Sequence, residues 1–460
     1  MHNLRVQKSI LLSIVLSLAL CTFLSADTVD DYVKAQMTWE RIPGLSIAVV
    51  RDGKVIKTKG YGFANLETNT AASPESVYRI GSVSKQFLAA GMMLLVQEGK
   101  VGLDEPVSKY LDDTPATWKD ITVRRLLSHT SGIPRESPSF DPMKIQSDSD
   151  VIKATYPVPL RFGPGSKWEY SNINYYCVAE IIRKVTGESW SKFITDRIFT
   201  PAGMVSTRTA SASQIVPQRA SGYATGEDGL RNAEVWVALR PSGAFMSTVS
   251  DFAKWDTALY TDQILNAESR KTMWTPVKLS DGSSYPYGFG WFVDATNGHQ
   301  HIHHDGGVPG FVAEFDRFPD DHISVVIMAN IQNRDLSDLA VKVAGYYKAP
   351  LKPSLAPAIP DKSPEVTVRI RSILTGLATG SLDKGQFDPK LASQLSMQMN
   401  SGAFKPLAQL GPIESLELRD SKKNGDATLY SYRVTFKGIV LSADCSLSSE
   451  GEILTFALSD

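Results

Sequence analysis

The chain is 460 residues long, room for a large core and two or three domains, and its charge is nearly balanced at 48 basic against 49 acidic side chains. No basic block and no interleaving of basic with aromatic residues occurs, which argues against a nucleic-acid partner. With 3 cysteines the fold must rely on its core rather than on a disulfide framework.

Residues 1–26 carry Arg5 and Lys8, then an apolar run over 10–20, then Ser25-Ala26 ahead of Asp27-Thr28. That order predicts a secretory signal peptide and a secreted or periplasmic protein. A retained membrane anchor is the alternative, because Leu24 is not the small residue best suited to the third position before the cut. A lipoprotein reading at Cys21 is disfavoured by the bulky Leu20. No later segment is suited to span a bilayer, so no stable membrane span is expected after cleavage. Cleavage would remove Arg5 and Lys8 and leave 46 basic against 49 acidic residues. Only Cys177 and Cys445 would then remain, and spacing alone does not argue for their pairing.

Residues 45–50 and 55–60 are β-prone runs joined through Asp52-Gly53 and predict a hairpin. From 83 to 98 the chain is apolar on nearly every face, which predicts a buried central helix with Ser82 at its head. From about 104 to 260, helical stretches such as 176–186 alternate with loops rich in Gly, Pro and Ser. Strand patterns return at 288–293, 299–303, 311–318 and 323–329. Early and late strands with helices between them predict one domain over 27–349 whose sheet unites both ends. Five prolines between Pro350 and Pro364 mark a semi-rigid linker over 350–364. Beyond it a helix over 366–378, a turn at Asn424-Gly425 and two alternating segments, 430–436 and 439–447, predict a small α+β domain at 365–460.

Ser82-Val83-Ser84-Lys85 sets a hydroxyl and an ammonium three residues apart, on one side of a helix. A serine becomes a nucleophile when a neighbour takes its proton and N–H dipoles stabilise the charge on the attacked carbonyl. The plain alternative is a surface serine near a surface lysine. Tyr170-Ser171-Asn172 follows the loop at Gly163-Pro164-Gly165 and precedes a helix opening near Asn174. A close ammonium would draw Tyr170 toward phenolate and let it hold the proton of Ser82; otherwise it is a core tyrosine. In His304-Asp305-Gly306-Gly307 the glycine pair lets a ligand approach the backbone, and the Gly307 N–H can be an oxyanion donor beside that of Ser82. Alternation places His299, His301 and His303 on one strand face and His304 on the other. Three such histidines can bind zinc, but no acidic partner is evident, and an exposed polar strand explains them better. A G-x-S-x-G elbow is absent, since Ile80 and Ser84 stand where its glycines would be.

These three elements, in this order, resemble the serine β-lactamase and penicillin-binding protein superfamily. Within it the resemblance is to the class C-like branch, which includes D,D-carboxypeptidases, D-aminopeptidases and family VIII carboxylesterases. The resemblance runs over 42–349 and takes in Leu126-Leu127-Ser128-His129-Thr130-Ser131-Gly132, Pro201-Ala202-Gly203-Met204, the stretch from Ser247-Thr248 to Trp255, and Tyr287-Gly288-Phe289-Gly290-Trp291. It implies an α/β (α+β) fold, an antiparallel sheet flanked by helices with an all-helical region. It implies that Ser82 is acylated, that Lys85 takes part in proton transfer and that Tyr170 is the general acid/base. Asn172 would contact the substrate amide, His304 to Gly306 would line the other cleft wall, and His304 would count among the catalytic residues. No metal and no cofactor is implied. The function implied is that of an exported serine hydrolase acting on esters, amides or D-amino-acid-containing peptides, cell-wall peptides among them.

Two departures bear on substrate. His304 stands where class C β-lactamases usually carry lysine, which lowers the expectation of efficient β-lactam hydrolysis. Asp305 stands where a hydroxyl residue is common, and a carboxylate there would repel a substrate carboxylate. Equally, alternation can turn Asp305 away from the cleft. Other readings are a penicillin-binding or sensor protein that acylates with little turnover, a weak class C-like β-lactamase, and a structural role on a hydrolase scaffold. The last is opposed by the intact trio Ser82, Lys85 and Tyr170. The C-terminal domain carries no motif that predicts chemistry, and no oligomeric state follows from the sequence.

Overall fold

The computed structural model describes residues 28–226, 229–352 and 356–460. The expected signal peptide over 1–26, with Cys21, lies outside these residues, as do residues 353–355 of the expected linker. The chain divides into two compact units: residues 43–352, and residues 28–42 together with the described residues of 353–460. The helix over 28–40 therefore groups with the C-terminal unit, whereas the hydrolase domain was expected to begin at 27.

In the larger unit the chain opens on strands β1 (Gly44–Arg51) and β2 (Lys54–Asn65). They are joined by Asp52 and Gly53, whose φ angles of 52° and 70° are the left-handed pair that a tight hairpin turn requires. Then follow β3 (Thr70–Ala71), β4 (Phe292–Thr296), β5 (His299–Val308), β6 (Phe311–Phe318) and β7 (Ile323–Ala329). Among the described residues these form one seven-stranded antiparallel sheet in the order β4-β5-β6-β7-β1-β2-β3. β1 pairs with β7 and β2, so the sheet does unite the early and late strands.

Helix α1 (Lys85–Gln97) is buried from Lys85 to Leu95, as its all-round apolarity predicts. Its Phe87 ring packs against Phe199, Phe245, Phe252 and Trp255. Ile302, Phe315 and Val326 of the sheet join that core. Helices α2 (Asn172–Thr186) and α3 (Val249–Ala258) complete it, and α4 (Ser337–Tyr347) packs on β6 and β7.

Three expectations are corrected. Ser82 does not head an α-helix: Gly81–Ser84 is a 3-10 turn, and the α-helical bonds begin at Lys85. The strand expected over 288–293 is β4 instead, because Gly290 takes φ 76° and backs onto α1, where a Cβ would lie 3.0 Å from the Lys85 carbonyl. The histidine strand is not an exposed polar strand; β5 runs on to Val308 between β4 and β6, with His301 and His304 buried.

The second unit contains a four-stranded antiparallel sheet, β8 (Ser415–Asn424), β9 (Ala427–Phe436), β10 (Ile439–Leu447) and β11 (Ile453–Ser459). Helices α5 (Pro364–Thr379) and α6 (Pro389–Asn400) supply Ile370, Leu374 and Leu391 to the core beneath Tyr432, Val434 and Leu441, and Ala35 joins it. The strands β8 and β11 were not predicted; both are largely exposed edges with weak alternation. Cys177 and Cys445 are both buried free thiols. Among the described residues no helix is long and apolar enough to cross a membrane.

Candidate active site

The turn bearing Ser82 is held by glycines from two directions. Gly306 of β5 lies so near that a Cβ there would sit 2.0 Å from the Ile80 carbonyl oxygen and 3.0 Å from the Ser82 nitrogen. Gly81 reciprocates: with φ 51°, its Cβ would lie 2.7 Å from the Gly307 nitrogen. The two amides expected as oxyanion donors thus belong to facing segments in direct contact. Pairing of β5 with β4 ends at His303, so from His304 onward one edge of β5 carries no neighbouring strand.

Lys85 is fully buried, and its Nζ has three oxygen neighbours: Ser82 Oγ at 3.0 Å, Asn172 Oδ1 at 3.0 Å and the Ser242 carbonyl at 2.9 Å. Asn172 is the first residue of α2, capped by the Ser171 side chain, rather than a loop residue before a helix at Asn174. Its Nδ2 donates to Glu136 Oε1 at 2.6 Å, which fixes Oδ1 toward the lysine. Glu136 is in turn paired with Arg240.

Burial drives the Lys85 pKa well below that of an ordinary lysine, and the Arg240 charge adds to the effect, outweighing the acids Asp305 and Glu136. A neutral amine has two hydrogens and one lone pair. Asn172 Oδ1 and the Ser242 carbonyl can only accept, so the lone pair is left for the hydroxyl of Ser82. Tyr170 moves the other way. Burial raises its pKa above that of a free phenol, although its hydrogen bond to Ser82 opposes this. The expected drift of Tyr170 toward phenolate is therefore reversed: burial favours the neutral form of both the lysine and the tyrosine. Lys85 Nζ stands 4.7 Å from the Tyr170 ring centroid and the Arg135 guanidinium carbon 5.2 Å from it.

His304 is buried, with Nδ1 2.6 Å from the Asp305 carbonyl and Nε2 3.1 Å from the Tyr287 hydroxyl. A carbonyl only accepts, so Nδ1 carries the proton and Nε2 accepts from Tyr287. Burial lowers the His304 pKa to about 4, keeping the ring neutral. The geometry departs from the catalytic role expected of His304, because both nitrogens are occupied by protein and neither is free for a substrate. Asp305 lies on the other face of β5 with its side chain 70% exposed, as alternation allowed, although its charge still reaches Lys85 and Tyr170.

The structure therefore brings together Ser82, Lys85, Tyr170, Asn172, Gly306 and Gly307, backs them with His304, and leaves Asp305 at the rim. Sequence reasoning missed Ser242, Glu136, Arg240 and Arg135, which act through a carbonyl or a charge and carry no motif of their own. It also assigned no role to His129. That ring is buried 4.4 Å from the Tyr170 ring, with Nδ1 receiving the Ser171 N–H at 3.2 Å. It orients the segment from Tyr170 to Asn172.

The chain has similar relatives among known proteins and solved structures. Penicillin-binding protein 4* of Bacillus subtilis (strain 168) is 29% identical over 307 residues, 62% of this chain and 67% of that protein. The match spans about two thirds of that relative's length. The structure of the octameric penicillin-binding protein homologue from Pyrococcus abyssi superposes with a TM-score of 0.64 at 22% identity, covering 94% of this chain and 95% of that one. The D-amino acid amidase from Ochrobactrum anthropi SV3, complexed with L-phenylalanine amide, gives a TM-score of 0.60 at 26% identity over 72% of this chain and 97% of that one. The family model described as Beta-lactamase matches residues 29–346, and the chain belongs to the beta-lactamase family of serine hydrolases.

Proposed function

We propose that the protein is an exported serine hydrolase that forms an acyl-enzyme on Ser82 and cleaves amides or short peptides built on D-amino acids. The observation that carries the chemistry is the buried Lys85 amine, its Nζ 3.0 Å from Ser82 Oγ. Ser82 attacks the carbonyl carbon as Lys85 takes its proton, and the N–H groups of Ser82 and Gly307 hold the oxyanion. Tyr170 then gives its proton to the leaving nitrogen. Water, giving a proton to the Tyr170 phenolate, then attacks the acyl carbonyl, and Lys85 returns the serine proton as the acid leaves. Asn172, Glu136 and Ser242 hold the lysine; His304 braces the cleft wall.

The D-amino-acid substrate class is supported by the likeness to the amidase of Ochrobactrum anthropi, and export by the sequence of residues 1–26. One parallel assay tests the substrate class: a D-amino-acid amide, its L-enantiomer, a D-Ala-D-Ala peptide, a short-chain p-nitrophenyl ester and a chromogenic cephalosporin. Turnover of the D-amide well above that of the L-amide and the cephalosporin is expected. Preference for the ester, with no D-amide turnover, would replace this reading by a carboxylesterase. A second reading, a penicillin-binding protein that acylates and turns over little, is favoured by the likeness to penicillin-binding protein 4*. It predicts a single stoichiometric burst instead of multiple turnovers.

A further inference from the structure

The strand that walls the cleft carries a second constellation on its other face. His301 and His303 lie on β5, Asp294 on β4, and Glu314 and Asp316 on β6. The register sets Asp294 opposite His301 and Asp316 opposite His303. Opposed residues of antiparallel strands share a face, so these side chains converge. Glu314 and Asp316 are 1% and 0% exposed. Glu314 Oε1, both carboxylate oxygens of Asp316, and His301 Nε2 are buried with no hydrogen-bond partner among the described residues. Buried carboxylates are ordinarily paired with cations or bound to metal.

The imidazoles are oriented for the second of these. His303 Nε2 is held by Asp294 Oδ2 at 3.2 Å, which turns Nδ1 toward Glu314 Oε1 at 3.9 Å. His301 Nδ1 is held by Thr296 Oγ1 at 3.0 Å, which turns Nε2 toward Asp316 Oδ2 at 3.4 Å. An outer carboxylate or hydroxyl on one ring nitrogen, with the other aimed inward, is how metal-ligating histidines are fixed. Ligands at ~2.0–2.2 Å from a tetrahedral ion lie roughly 3.3–3.6 Å from one another. His303 Nδ1 and Glu314 Oε1 at 3.9 Å stand a few tenths of an ångström outside that range, and the ligand atoms of His303, Glu314 and Asp316 all fall within 4.8 Å of one another, so a small inward movement brings them onto one ion. The His301 and His303 rings are stacked, with centroids 4.1 Å apart at 10°. Parallel rings do not aim their lone pairs at one point, so one imidazole ligates and the other flanks.

We propose that His303 Nδ1, Glu314 and Asp316 bind one divalent transition-metal ion of the zinc class, with water completing its shell and Asp294 orienting the imidazole. Mixed imidazole and carboxylate donors suit zinc, manganese or iron rather than calcium or magnesium. The ion ties β5 to β6 directly behind His304 and Gly306, so it is structural: it stiffens the cleft wall and takes no part in acyl transfer. The site stands independently of the substrate proposed above.

The test uses the full chain, stripped with a chelator and titrated with zinc sulfate by calorimetry, with bound metal and thermal unfolding measured on the same samples. One equivalent per chain and a raised Tm are expected. The double variant Glu314→Gln/Asp316→Asn is expected to retain less than about a tenth of that zinc and to lose the Tm shift. Asp294→Asn leaves the buried carboxylates in place and covers the case in which the double variant does not fold; its zinc affinity should fall about tenfold or more. Failure of the stripped wild type to take up one equivalent would overturn the proposal, leaving an imidazolium–carboxylate network. Unchanged uptake in these variants would overturn it as well, by placing the ion elsewhere.

Discussion

Lys85 Nζ lies 3.0 Å from Ser82 Oγ while two protein acceptors, Asn172 Oδ1 and the Ser242 carbonyl, take its remaining hydrogens. A lysine placed in this way is a base only while neutral. Its pKa is lowered in the folded protein, so activity is present above that value and lost as pH falls through it. Arg240 is one of the charges that lower it. Arg240→Gln should therefore raise the Lys85 pKa and move the acid limb of the kcat/KM–pH profile to higher pH. A limb that stays in place, or moves down, would show that Arg240 does not tune the base.

Neighbouring glycines on β5 should respond oppositely to one added methyl group. A Cβ on Gly306 meets the Ile80 carbonyl at 2.0 Å, whereas a Cβ on Gly307 has nothing within 4 Å. Gly306→Ala should cost about 1–3 kcal/mol of stability by overpacking and lower kcat by displacing the Ser82 turn. Gly307→Ala should leave the unfolding free energy within about 0.5 kcal/mol. Chemical denaturation of both variants decides it; equal losses would contradict the interlock.

His304 links stability to pH. Its folded pKa of about 4 lies below the ordinary 6.5, so the unfolded chain takes up a proton that the folded one refuses. Its stabilising contribution is complete above pH 6.5 and is lost as pH falls toward 4, by roughly 3 kcal/mol in all. In His304→Gln that part of the acid destabilisation should disappear, which urea titrations at pH 7 and pH 4.5 would detect. An unchanged pH dependence would mean that the ring is protonated inside the fold.

Asp305 sits on the rim, exposed, with its charge felt at Lys85. Asp305→Thr should raise kcat/KM severalfold for a D-Ala-D-Ala peptide with a free carboxylate and leave a neutral D-amino-acid amide nearly unaffected. No gain on the carboxylate substrate would assign Asp305 to the outer face alone.

Much of this was legible in the residues. Strand β7 is an almost unbroken apolar run, β6 alternates apolar residues with Glu314 and Asp316, and β1 and β2 flank a turn dipeptide that only left-handed φ angles satisfy, so their places could be read directly. Ser82, Lys85, Tyr170 and Asn172 carry chemistry at fixed spacing and do converge. What could not be read were effects of three-dimensional packing. Burial lowers the Lys85 pKa and raises that of Tyr170, and the charge that reinforces the first and opposes the second is Arg240, 155 positions away in the chain from Lys85. Asp294, Glu314 and Asp316 lie on neighbouring strands, so the acidic partners of the histidine strand appear only once the register is known. The edge strands β8 and β11 alternate too weakly to stand out from a loop.

The central claim is covalent catalysis by Ser82. The direct measurement is intact-protein and peptide mass spectrometry of the wild type and Ser82→Ala, quenched during turnover of a D-amino-acid ester or amide. The account predicts an acyl adduct on the peptide containing Ser82 in the wild type, and a Ser82→Ala variant that folds but neither carries the adduct nor turns over. An adduct on another residue, or turnover retained by Ser82→Ala, would contradict it.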